Sequence, residues 1–329
     1  MPGGRPEVRP GDRDVLVVLY DESRPPGMTD VEKAAEVRYA DRSQLAAALP
    51  GADALFVWDF FSTALRDAWP AADRLRWVHV ASAGVDRLLF PELVESPVVV
   101  TNSRGVFDRP IAEYVLGLVL AVAKGLPTTL ALQRDGVWRH RETQRIDGHT
   151  ALVVGTGSIG RACAGLLSAA GLRVTGVGRT ARNDPELGRV FGPEDLHRLL
   201  GDADYVVIAA PLTEDTRGLF DAAAFAAMAP SAWLVNIGRG AIVIESELLA
   251  ALERHELAGA ALDVFAEEPL PADHPFWSRP DVIVSPHMSG DFVGWHQALV
   301  DVFTGNLARW QAGEPLTNQV DKAAGYVRG

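Results

Sequence analysis

Short apolar runs alternate with amphipathic segments along most of the chain, and the alternation is most regular after residue 150. In that region each run holds four to six residues, which is the length of a buried strand. A repeated strand and helix of this kind is typical of a doubly wound parallel sheet in an α/β protein. The predicted strands span 151–154, 172–177, 204–209, 232–236, 259–264 and 281–285, and the predicted helices span 161–170, 193–200, 222–228 and 245–256.

The first 150 residues carry a second, smaller set of the same signals, which predicts a separate α/β domain. A long helix follows, beginning near Pro110, a residue favoured in a first helical turn, and ending at Gly125. The last helical segment, residues 292–312, is expected to return to the N-terminal domain and make it discontinuous. The early strands are predicted at 15–20, 54–58, 76–80 and 98–100, with helices at 30–37 and 43–48.

The composition is that of a soluble globular protein, with 48% hydrophobic and 22% charged residues in a chain of 329. The 43 acidic residues against 31 basic ones give a net charge of −12, which argues against nucleic acid or an anionic membrane as a partner. The single cysteine, Cys163, excludes a disulfide framework and is interpreted as a packing residue. We predict no metal site.

No segment of the sequence predicts export or membrane insertion. Met1–Asp14 is rich in Pro, Gly and Arg without an apolar stretch, so it is predicted to be a disordered tail and not a signal peptide. The longest apolar stretch, Ile111–Ala123, is too short to span a bilayer and contains Glu113. A cytoplasmic location is therefore expected.

A glycine-rich turn follows the first strand of the larger sheet. Residues Val153–Gly160 read VVGTGSIG, which matches the GxGxxG fingerprint of a dinucleotide site. The first glycine would permit the tight turn, the second a close approach of the phosphates to the backbone at the helix N-terminus, and the third close helix–strand packing. The alternative is an ordinary tight turn, against which the flanking strand and helix argue. The residues assigned to cofactor binding here are Gly155, Thr156, Gly157, Ser158, Ile159 and Gly160.

The end of the second strand indicates which dinucleotide is bound. An NAD-preferring site usually has Asp or Glu there to hold the ribose 2′-hydroxyl, but this chain has Gly178-Arg179-Thr180-Ala181-Arg182. A guanidinium matches a 2′-phosphate bidentately, whereas a carboxylate would repel it. Arg179, Thr180 and Arg182 therefore predict a preference for NADP(H), with NAD(H) as a second cofactor. The alternative is that Arg179 is a solvated loop cation in a dual-specific enzyme.

Three polar residues, Arg239, Glu268 and His287, each follow one of the last three predicted strands. The ligand crevice of an open parallel sheet lies at the carboxyl ends of its strands, so these side chains are expected to converge on a nicotinamide. Arg239 can clamp a substrate carboxylate and polarise a keto oxygen. His287 can protonate that oxygen, and Glu268 can orient the imidazole and favour its protonated form.

Each of these residues also has an ordinary structural interpretation. A strand-end Arg or Glu is often a solvated loop charge, and Pro286-His287 could be a simple turn. The functional hypothesis depends on all three residues following strands downstream of one cofactor motif.

At these residues the chain resembles the D-isomer-specific 2-hydroxyacid dehydrogenase family, over nearly its whole length. The family's catalytic Arg, Glu and His map onto Arg239, Glu268 and His287. With the strand pattern, the resemblance implies two Rossmann-like domains. One is a dinucleotide-binding domain over 105–289, and the other is a smaller, discontinuous, flavodoxin-like substrate-binding domain over 1–104 and 290–329. The matching segments are Val153–Gly160, Pro211–Thr216, Asn236–Gly240, Leu262–Pro269 and Ser285–His287.

The resemblance also implies roles that the residue pattern does not reveal. The loop Ser82-Ala83-Gly84 would hold the substrate carboxylate with its backbone N–H groups, the alternative being a plain glycine turn. The helix from Ile111 would form a homodimer, which would explain its apolar length. The further cofactor-binding positions are Pro211, Thr216, Ile237, Gly238 and Asp263, the last on the nicotinamide carboxamide.

We therefore predict a compact reductase of small 2-keto acids, of the glyoxylate, hydroxypyruvate or pyruvate type, that forms the D-2-hydroxy acid. One alternative is NAD-linked oxidation of a D-2-hydroxy acid. Another is a dinucleotide-sensing corepressor, which the family also includes and which can retain the three catalytic residues. Beyond His287 the chain departs from the family's small residues, and Phe292 and Trp295 either wall the pocket or pack the returning helix.

Overall fold

A computed structural model describes residues 13–184 and 186–327 of the chain, which divides into two compact units. The first unit runs to Val106 and resumes at Val293, and the second spans Phe107–Phe292. Most of the tail predicted over Met1–Asp14 lies outside the described residues, because only positions 13 and 14 are among them.

Five parallel strands form the sheet in the described part of the first unit. They are β1 Val15–Leu19, β2 Glu36–Ala40, β3 Ala54–Val57, β4 Trp77–Val80 and β5 Val99–Asn102, and the helices of this unit before residue 106 are α1 Thr29–Ala34, α2 Leu45–Ala48, α3 Ala64–Ala68 and α4 Pro91–Glu95. The spatial order β2-β1-β3-β4-β5 is the flavodoxin-like order, as predicted. The central strands β3 and β4 are buried at every residue, so they are largely apolar and can be recognised in the sequence.

Strand β2 shows that the predicted helix over 30–37 is wrong in its last three residues. Helix α1 ends at Ala34, and residues 36–40 pair with β1 along their whole length. This edge strand carries the charged residues Glu36 and Arg38 and is buried only at Ala40. It therefore lacks the apolar run by which the other strands were predicted.

Eight strands form the sheet in the described part of the second unit. They are β6 Thr150–Val154, β7 Arg173–Val177, β8 Arg182–Asp184, β9 Gly188–Phe191, β10 Tyr205–Ile208, β11 Trp233–Asn236, β12 Gly259–Leu262 and β13 Val282–Val284. The order β13-β12-β11-β10-β6-β7-β9-β8 is that of a doubly wound sheet, parallel except for the final pair of β9 and β8. The six predicted strands are confirmed, and β8 and β9 were missed.

The helices of the second unit agree with the predicted ones within a few residues, with one addition. They are α5 Asp108–Ala123, α6 Leu126–Arg134, α7 Ser158–Ala169, α8 Leu196–Leu200, α9 Ala222–Ala227 and α10 Glu245–Glu253. Helix α5 ends before Gly125, as predicted, because Gly125 takes a left-handed φ of 58°. The missed helix α6 begins directly after it, with Pro127 in its first turn.

The final helix, α11 Trp295–Ala312, belongs to the first unit. The ring of Phe303 stacks on that of Phe56, with the centroids 4.1 Å apart, and on that of Trp77 at 5.4 Å. All three side chains are fully buried, so the helix is held by the core of the five-stranded sheet. The chain thus returns to the first unit after Phe292.

Candidate active site

The glycine turn lies between β6 and α7 and has the geometry that its sequence predicts. Gly155 takes a φ of 100°, and a side chain there would overlap the backbone of Ala210 on the neighbouring strand connection. A side chain at Gly160 would overlap the carbonyl oxygen of Gly155. Gly157, at the start of α7, faces open space, so an anionic group can approach the backbone there. The turn therefore has the shape of a pyrophosphate cradle.

Three side chains that were assigned to the 2′-phosphate lie beyond the end of β7. Arg179 and Thr180 are exposed in the loop that follows the strand. Arg182 opens the missed strand β8, and its Nη2 donates to Thr156 Oγ1 at 2.9 Å and to Asp184 Oδ2 at 3.2 Å. Thr156 belongs to the glycine turn, so the guanidinium of Arg182 is fixed directly beside that turn.

The loop after β10 is closed by its own hydroxyls. Thr216 Oγ1 donates to the carbonyl oxygen of Pro211 at 2.6 Å and accepts from the backbone N–H of Thr213 at 2.8 Å. Ile237 is buried, and its N–H donates to Ile208, so the chain after β11 lies beside this loop. Gly238 also adjoins it, because a side chain there would lie 2.9 Å from the carbonyl oxygen of Ala210. The four assigned positions Pro211, Thr216, Ile237 and Gly238 therefore belong to adjacent loops at one edge of the sheet.

Arg239, Glu268 and His287 follow β11, β12 and β13, which are immediate neighbours in the sheet. The paired residues Asn236, Leu262 and Val284 place the ends of the three strands level with one another. Arg239 Nη1 donates to the carbonyl oxygen of Gly238 at 2.8 Å, which holds the side chain close to its own strand end. The three predicted catalytic residues therefore share one edge of the sheet.

Glu268 and His287 form a direct pair. Nδ1 of His287 lies 2.9 Å from Oε2 of Glu268, and Oε1 of Glu268 accepts the backbone N–H of Phe265 at 3.0 Å. The His287 side chain is 29% exposed and that of Glu268 is 16% exposed, so solvent screens the pair only partly. Because a carboxylate only accepts, Nδ1 carries the proton, and the ring held in this way exchanges protons with a ligand through Nε2.

The backbone of His287 is held in an uncommon conformation. Its φ is 52°, in the left-handed region that few residues other than glycine adopt. The backbone N–H of His287 donates to the carbonyl oxygen of Asp263 at 2.8 Å, which fixes this turn. A strained backbone at this point orients the imidazole towards Glu268, as is common for active-site residues.

Asp263 anchors the loop that carries His287, a role that the sequence did not reveal. The carboxylate is completely buried, and Oδ1 accepts the Ser285 hydroxyl at 2.7 Å and the Met288 backbone N–H at 3.0 Å. Oδ2 accepts the backbone N–H of Ser289 at 2.9 Å. The contact with a nicotinamide carboxamide that the family resemblance implies stays a prediction. A carboxylate within the buried segment Leu262–Phe265 was the signal available for this anchor.

The loop predicted to hold a substrate carboxylate follows β4 in the first unit. Ser82 Oγ donates to the carbonyl oxygen of Gly84 at 2.6 Å, and Asn102 Nδ2 donates to that of Ala83 at 2.5 Å. The carbonyl groups of the loop are therefore occupied within the chain. The N–H groups of Ala83 and Gly84 donate to no residue in the part of the chain that the structure describes.

Phe292 and Trp295 lie on either side of the change of unit. Phe292 is 37% exposed. Trp295 begins α11, and its ring centroid lies 6.3 Å from that of Phe60 and 3.9 Å from that of His296. Trp295 therefore packs among aromatic residues of the first unit.

Three further features of the described chain concern a possible nucleophile, a metal site and a membrane span. Cys163 is buried in α7, and burial raises the pKa of its thiol to about 12, which removes it as a nucleophile. Among residues 13–184 and 186–327, no group of three or more His, Cys, Asp or Glu side chains is arranged to hold a metal ion. In the same residues no single helix has the length and apolar composition to cross a bilayer, although α5 and α6 meet the test as a pair bent by 64°.

Comparison with known proteins agrees with this geometry. The family model described as D-isomer specific 2-hydroxyacid dehydrogenase, NAD binding domain, matches residues 116–289. A glyoxylate/hydroxypyruvate reductase A of Serratia proteamaculans is 32% identical over 260 residues, covering 77% of this chain and 82% of the relative.

Two solved structures are similar over almost their whole length. A D-isomer specific 2-hydroxyacid dehydrogenase of Xanthobacter autotrophicus, in complex with NADPH and MES, has a TM-score of 0.81 at 30% identity, covering 95% of this chain and 100% of the other. An NADPH-dependent glyoxylate/hydroxypyruvate reductase of Sinorhizobium meliloti, in complex with NADP and sulfate, has a TM-score of 0.81 at 29% identity, covering 96% and 100%. With the strand-end residues and the glycine turn in place, the chain belongs to the D-isomer specific 2-hydroxyacid dehydrogenase family.

Proposed function

We propose that this enzyme reduces a small 2-keto acid, of the glyoxylate, hydroxypyruvate or pyruvate type, to the D-2-hydroxy acid with NADPH as the preferred cofactor. The observation that carries the proposal is the His287–Glu268 pair. The two residues follow β13 and β12, and β12 lies next to β11, which Arg239 follows. An acid held by a carboxylate next to a guanidinium is suited to protonating an oxygen on which negative charge develops. The named activities of the Serratia and Sinorhizobium relatives support the substrate type.

The catalytic residues divide the work of the reduction. A bound reduced nicotinamide supplies the hydride. His287, protonated and held through Nδ1, donates a proton from Nε2 to the keto oxygen, and Glu268 stabilises the imidazolium. Arg239 holds the substrate carboxylate and stabilises charge on the keto oxygen, because a guanidinium can donate two parallel hydrogen bonds. Asp263 keeps the His287 loop in place through the N–H groups of Met288 and Ser289.

The first unit is proposed to contribute the substrate carboxylate loop. The N–H groups of Ala83 and Gly84 point to that role, since their own loop leaves them without an acceptor in the described chain. The Ser82 hydroxyl and the Asn102 amide hold the carbonyl groups of the loop and so stabilise its shape. Successive N–H groups presented in this way form an anion-binding concavity.

The cofactor preference is proposed from the cations beyond β7. Arg179, Thr180 and Arg182 supply guanidinium and hydroxyl donors where NAD-preferring sites have a carboxylate. The donor set fits a 2′-phosphate, and the glycine turn has room for a pyrophosphate at Gly157. The NADPH and NADP complexes of the Xanthobacter and Sinorhizobium structures support this preference.

A homodimer is also proposed, through α5 and the segment that follows it. Several apolar residues of α5, including Val115 and Val119, are buried against the chain's own helices, chiefly α7, so the apolar length of α5 does not by itself indicate a partner. Exposed apolar residues lie on α5 and in the segment after it, with Leu120 37%, Leu130 64% and Trp138 100% exposed. A face of this kind favours a two-fold contact. Light scattering at micromolar concentration would refute it by showing a monomer.

The assay that tests the proposed function follows NADPH oxidation with glyoxylate, hydroxypyruvate and pyruvate, and then repeats the panel with NADH. We expect turnover with at least one keto acid and a higher kcat/KM with NADPH. Binding of NADPH without turnover of any keto acid would refute the reductase and support a dinucleotide-sensing protein. The cytoplasmic location stays a prediction, which cell fractionation would test.

A further inference from the structure

The hairpin of β8 and β9 places a buried carboxylate behind the arginine nearest the glycine turn. Asp184, the last residue of β8, has a side chain that is 1% exposed. It pairs with Arg161 of α7 at 2.7 Å and with Arg182 at 3.2 Å. Two backbone N–H groups, those of Glu186 and Leu187, also donate to Oδ1. Asp184 is therefore held by the backbone and accepts hydrogen bonds from two arginines.

The charge of Asp184 is maintained despite its burial. Burial acts to raise the pKa of the carboxyl, but the two backbone N–H groups and the charges of Arg161 and Arg182 outweigh it, so the pKa lies below its ordinary value. Asp184 therefore stays ionised at neutral pH and can hold a guanidinium by a charge-assisted hydrogen bond.

The contacts of Arg182 use only one of its nitrogens. Nη2 donates to Asp184 and to the hydroxyl and carbonyl oxygens of Thr156. Within the described residues, Nη1 and Nε make no hydrogen bond to the chain. The two N–H donors of Nη1 therefore remain for a ligand at the glycine turn.

Gly178 keeps this part of the guanidinium uncovered. A Cβ at position 178 would lie 3.2 Å from Arg182 Nη1 and 2.7 Å from Thr156 Oγ1. Gly178 is the first residue after β7, in the segment where NAD-preferring sites have their carboxylate. An acidic side chain in that place would pair with Arg182 and neutralise it. The segment after β7 thus has no carboxylate at residues 178–182, where it would neutralise Arg182. Its carboxylate, Asp184, instead pairs with Arg182 through Nη2.

We propose that Asp184 is a positioning residue for cofactor selection: it holds Arg182 by Nη2 so that Nη1 faces the 2′-phosphate of NADP(H). The inference rests on the proposed NADP(H) preference and adds the residue on which that preference depends. Arg161 fixes Asp184 from α7, because its Nη1 donates to Oδ1 at 2.9 Å and its Nη2 lies 2.7 Å from Oδ2.

The test measures binding, by calorimetric titration of the full chain with NADP⁺ and with NAD⁺. Asp184→Asn keeps the shape of the side chain and removes its charge. We expect it to weaken NADP⁺ binding on the order of tenfold while NAD⁺ binding is unchanged, since a hydrogen bond to a charged group has about that effect. Arg182→Gln should weaken NADP⁺ binding at least as much. In an Arg182→Gln background, Asp184→Asn should have no further effect on the ratio of the two affinities.

Asp53→Asn is the matched control. Asp53 is also buried, pairs with two arginines, Arg74 and Arg76, and accepts a backbone N–H from Val15, but it lies in the other unit. This variant should leave the ratio of affinities unchanged. If Asp184→Asn does not fold, Asp184→Glu retains the charge but displaces Arg182, and it should reduce the ratio in the same direction.

The outcomes separate the two proposals. Equal binding of NADP⁺ and NAD⁺ by the wild type would overturn the cofactor preference itself. A wild type that prefers NADP⁺, with the ratio unchanged in Asp184→Asn or Asp184→Glu, would overturn only the positioning role. Equal losses for both cofactors would also overturn it, because they would indicate a general structural effect.

Discussion

The proposed catalytic edge of the second unit carries Arg239, Glu268 and His287, and the proposed cofactor edge carries Arg179 and Arg182. The two edges hold their charged side chains in different ways. At the catalytic edge, Asp263 accepts two backbone N–H groups of the His287 loop, and Glu268 accepts another at Phe265. At the cofactor edge, Arg182 is held by side chains and by one carbonyl group, on a strand of three residues. A backbone N–H donor is present whatever side chain its residue carries, so these hydrogen bonds survive substitution of the donor residue. A network of charged side chains, in contrast, changes when any one of them is replaced.

This difference predicts which property is easily altered. The proposed catalysis by His287 depends on a loop fixed from the interior, so substitution of surface residues should leave it intact. The cofactor preference, as proposed, depends on a few partly exposed cations, of which Arg182 is 37% and Arg161 33% exposed. We therefore expect single substitutions to change the cofactor without stopping the reaction, and the following variants test that separation.

Replacement of His287 should have the largest effect. His287→Ala removes the acid that protonates the keto oxygen, and positioned acid catalysis contributes roughly 10²–10⁴-fold, so kcat should fall by that factor. NADPH binding should be nearly unchanged, because the glycine turn and the cations of the cofactor edge are intact. Steady-state kinetics and a titration with NADPH measure the two quantities.

His255→Ala is a suitable control for His287→Ala. His255 also has a left-handed φ, of 56°, but it is exposed at the end of α10, away from the strand ends that carry the site. It should leave kcat unchanged. Near-normal kcat in His287→Ala would remove the catalytic assignment and favour the sensor alternative.

Replacement of Arg239 should have the second largest effect. Arg239→Ala removes the carboxylate clamp and the stabilisation of the developing negative charge together, so KM should rise and kcat should fall. Loss of one such electrostatic donor typically costs roughly 10²–10³-fold in kcat. Arg239→Lys retains the charge without the fork and should recover part of kcat/KM. A change in KM alone would limit Arg239 to substrate binding.

The sequence predicted the catalytic edge well because one rule covers it. Side chains that follow adjacent parallel strands must lie at the same edge of the sheet, so the positions of Arg239, Glu268 and His287 followed from three apolar runs. The same rule could not identify the role of Asp263. Its position at the end of a strand was visible, but its hydrogen bonds run to residues more than 20 positions away.

The cofactor edge was only partly predictable, for a physical reason. The sequence shows directly that no acidic residue lies at positions 178–182 after β7 and that Arg179 and Arg182 do. Strand β8, with the sequence Arg-Asn-Asp, has no apolar residue, so nothing in the hydrophobic pattern indicates the hairpin that turns Arg182 back to Thr156. The contact between Asp184 and Arg161 joins residues 23 positions apart and is likewise invisible without the fold.

Reversal of the charge at Arg179 tests the cofactor edge itself. Arg179→Asp should lower the preference for NADPH over NADH by about tenfold to a hundredfold in affinity, because a charged hydrogen bond is replaced by repulsion. Arg173→Asp is the control, since it reverses an exposed arginine at the opposite end of β7. The kcat/KM ratio for the two cofactors is the measurement. Equal or better wild-type activity with NADH would contradict the preference.

The smallest expected effect is a partial loss of kcat in Glu268→Gln. Oε2 of Glu268 lies 2.9 Å from Nδ1 of His287 and so holds the ring with Nε2 available for the substrate. A glutamine of the same size can keep this hydrogen bond through its carbonyl oxygen, but it loses the negative charge beside the ring.

We expect kcat to fall by up to about tenfold, since a hydrogen bond to a charged group is stronger than a neutral one by about 1 kcal/mol. Glu268→Ala removes the hydrogen bond as well as the charge, so its kcat should be lower than that of Glu268→Gln. Steady-state kinetics of the two variants measure the difference, and equal kcat values would show that the hydrogen bond contributes nothing beyond the charge. Near-normal kcat in Glu268→Gln would show instead that Glu268 acts only by orienting the ring. The pair would then resemble the cofactor edge, where a carboxylate holds a cation in position.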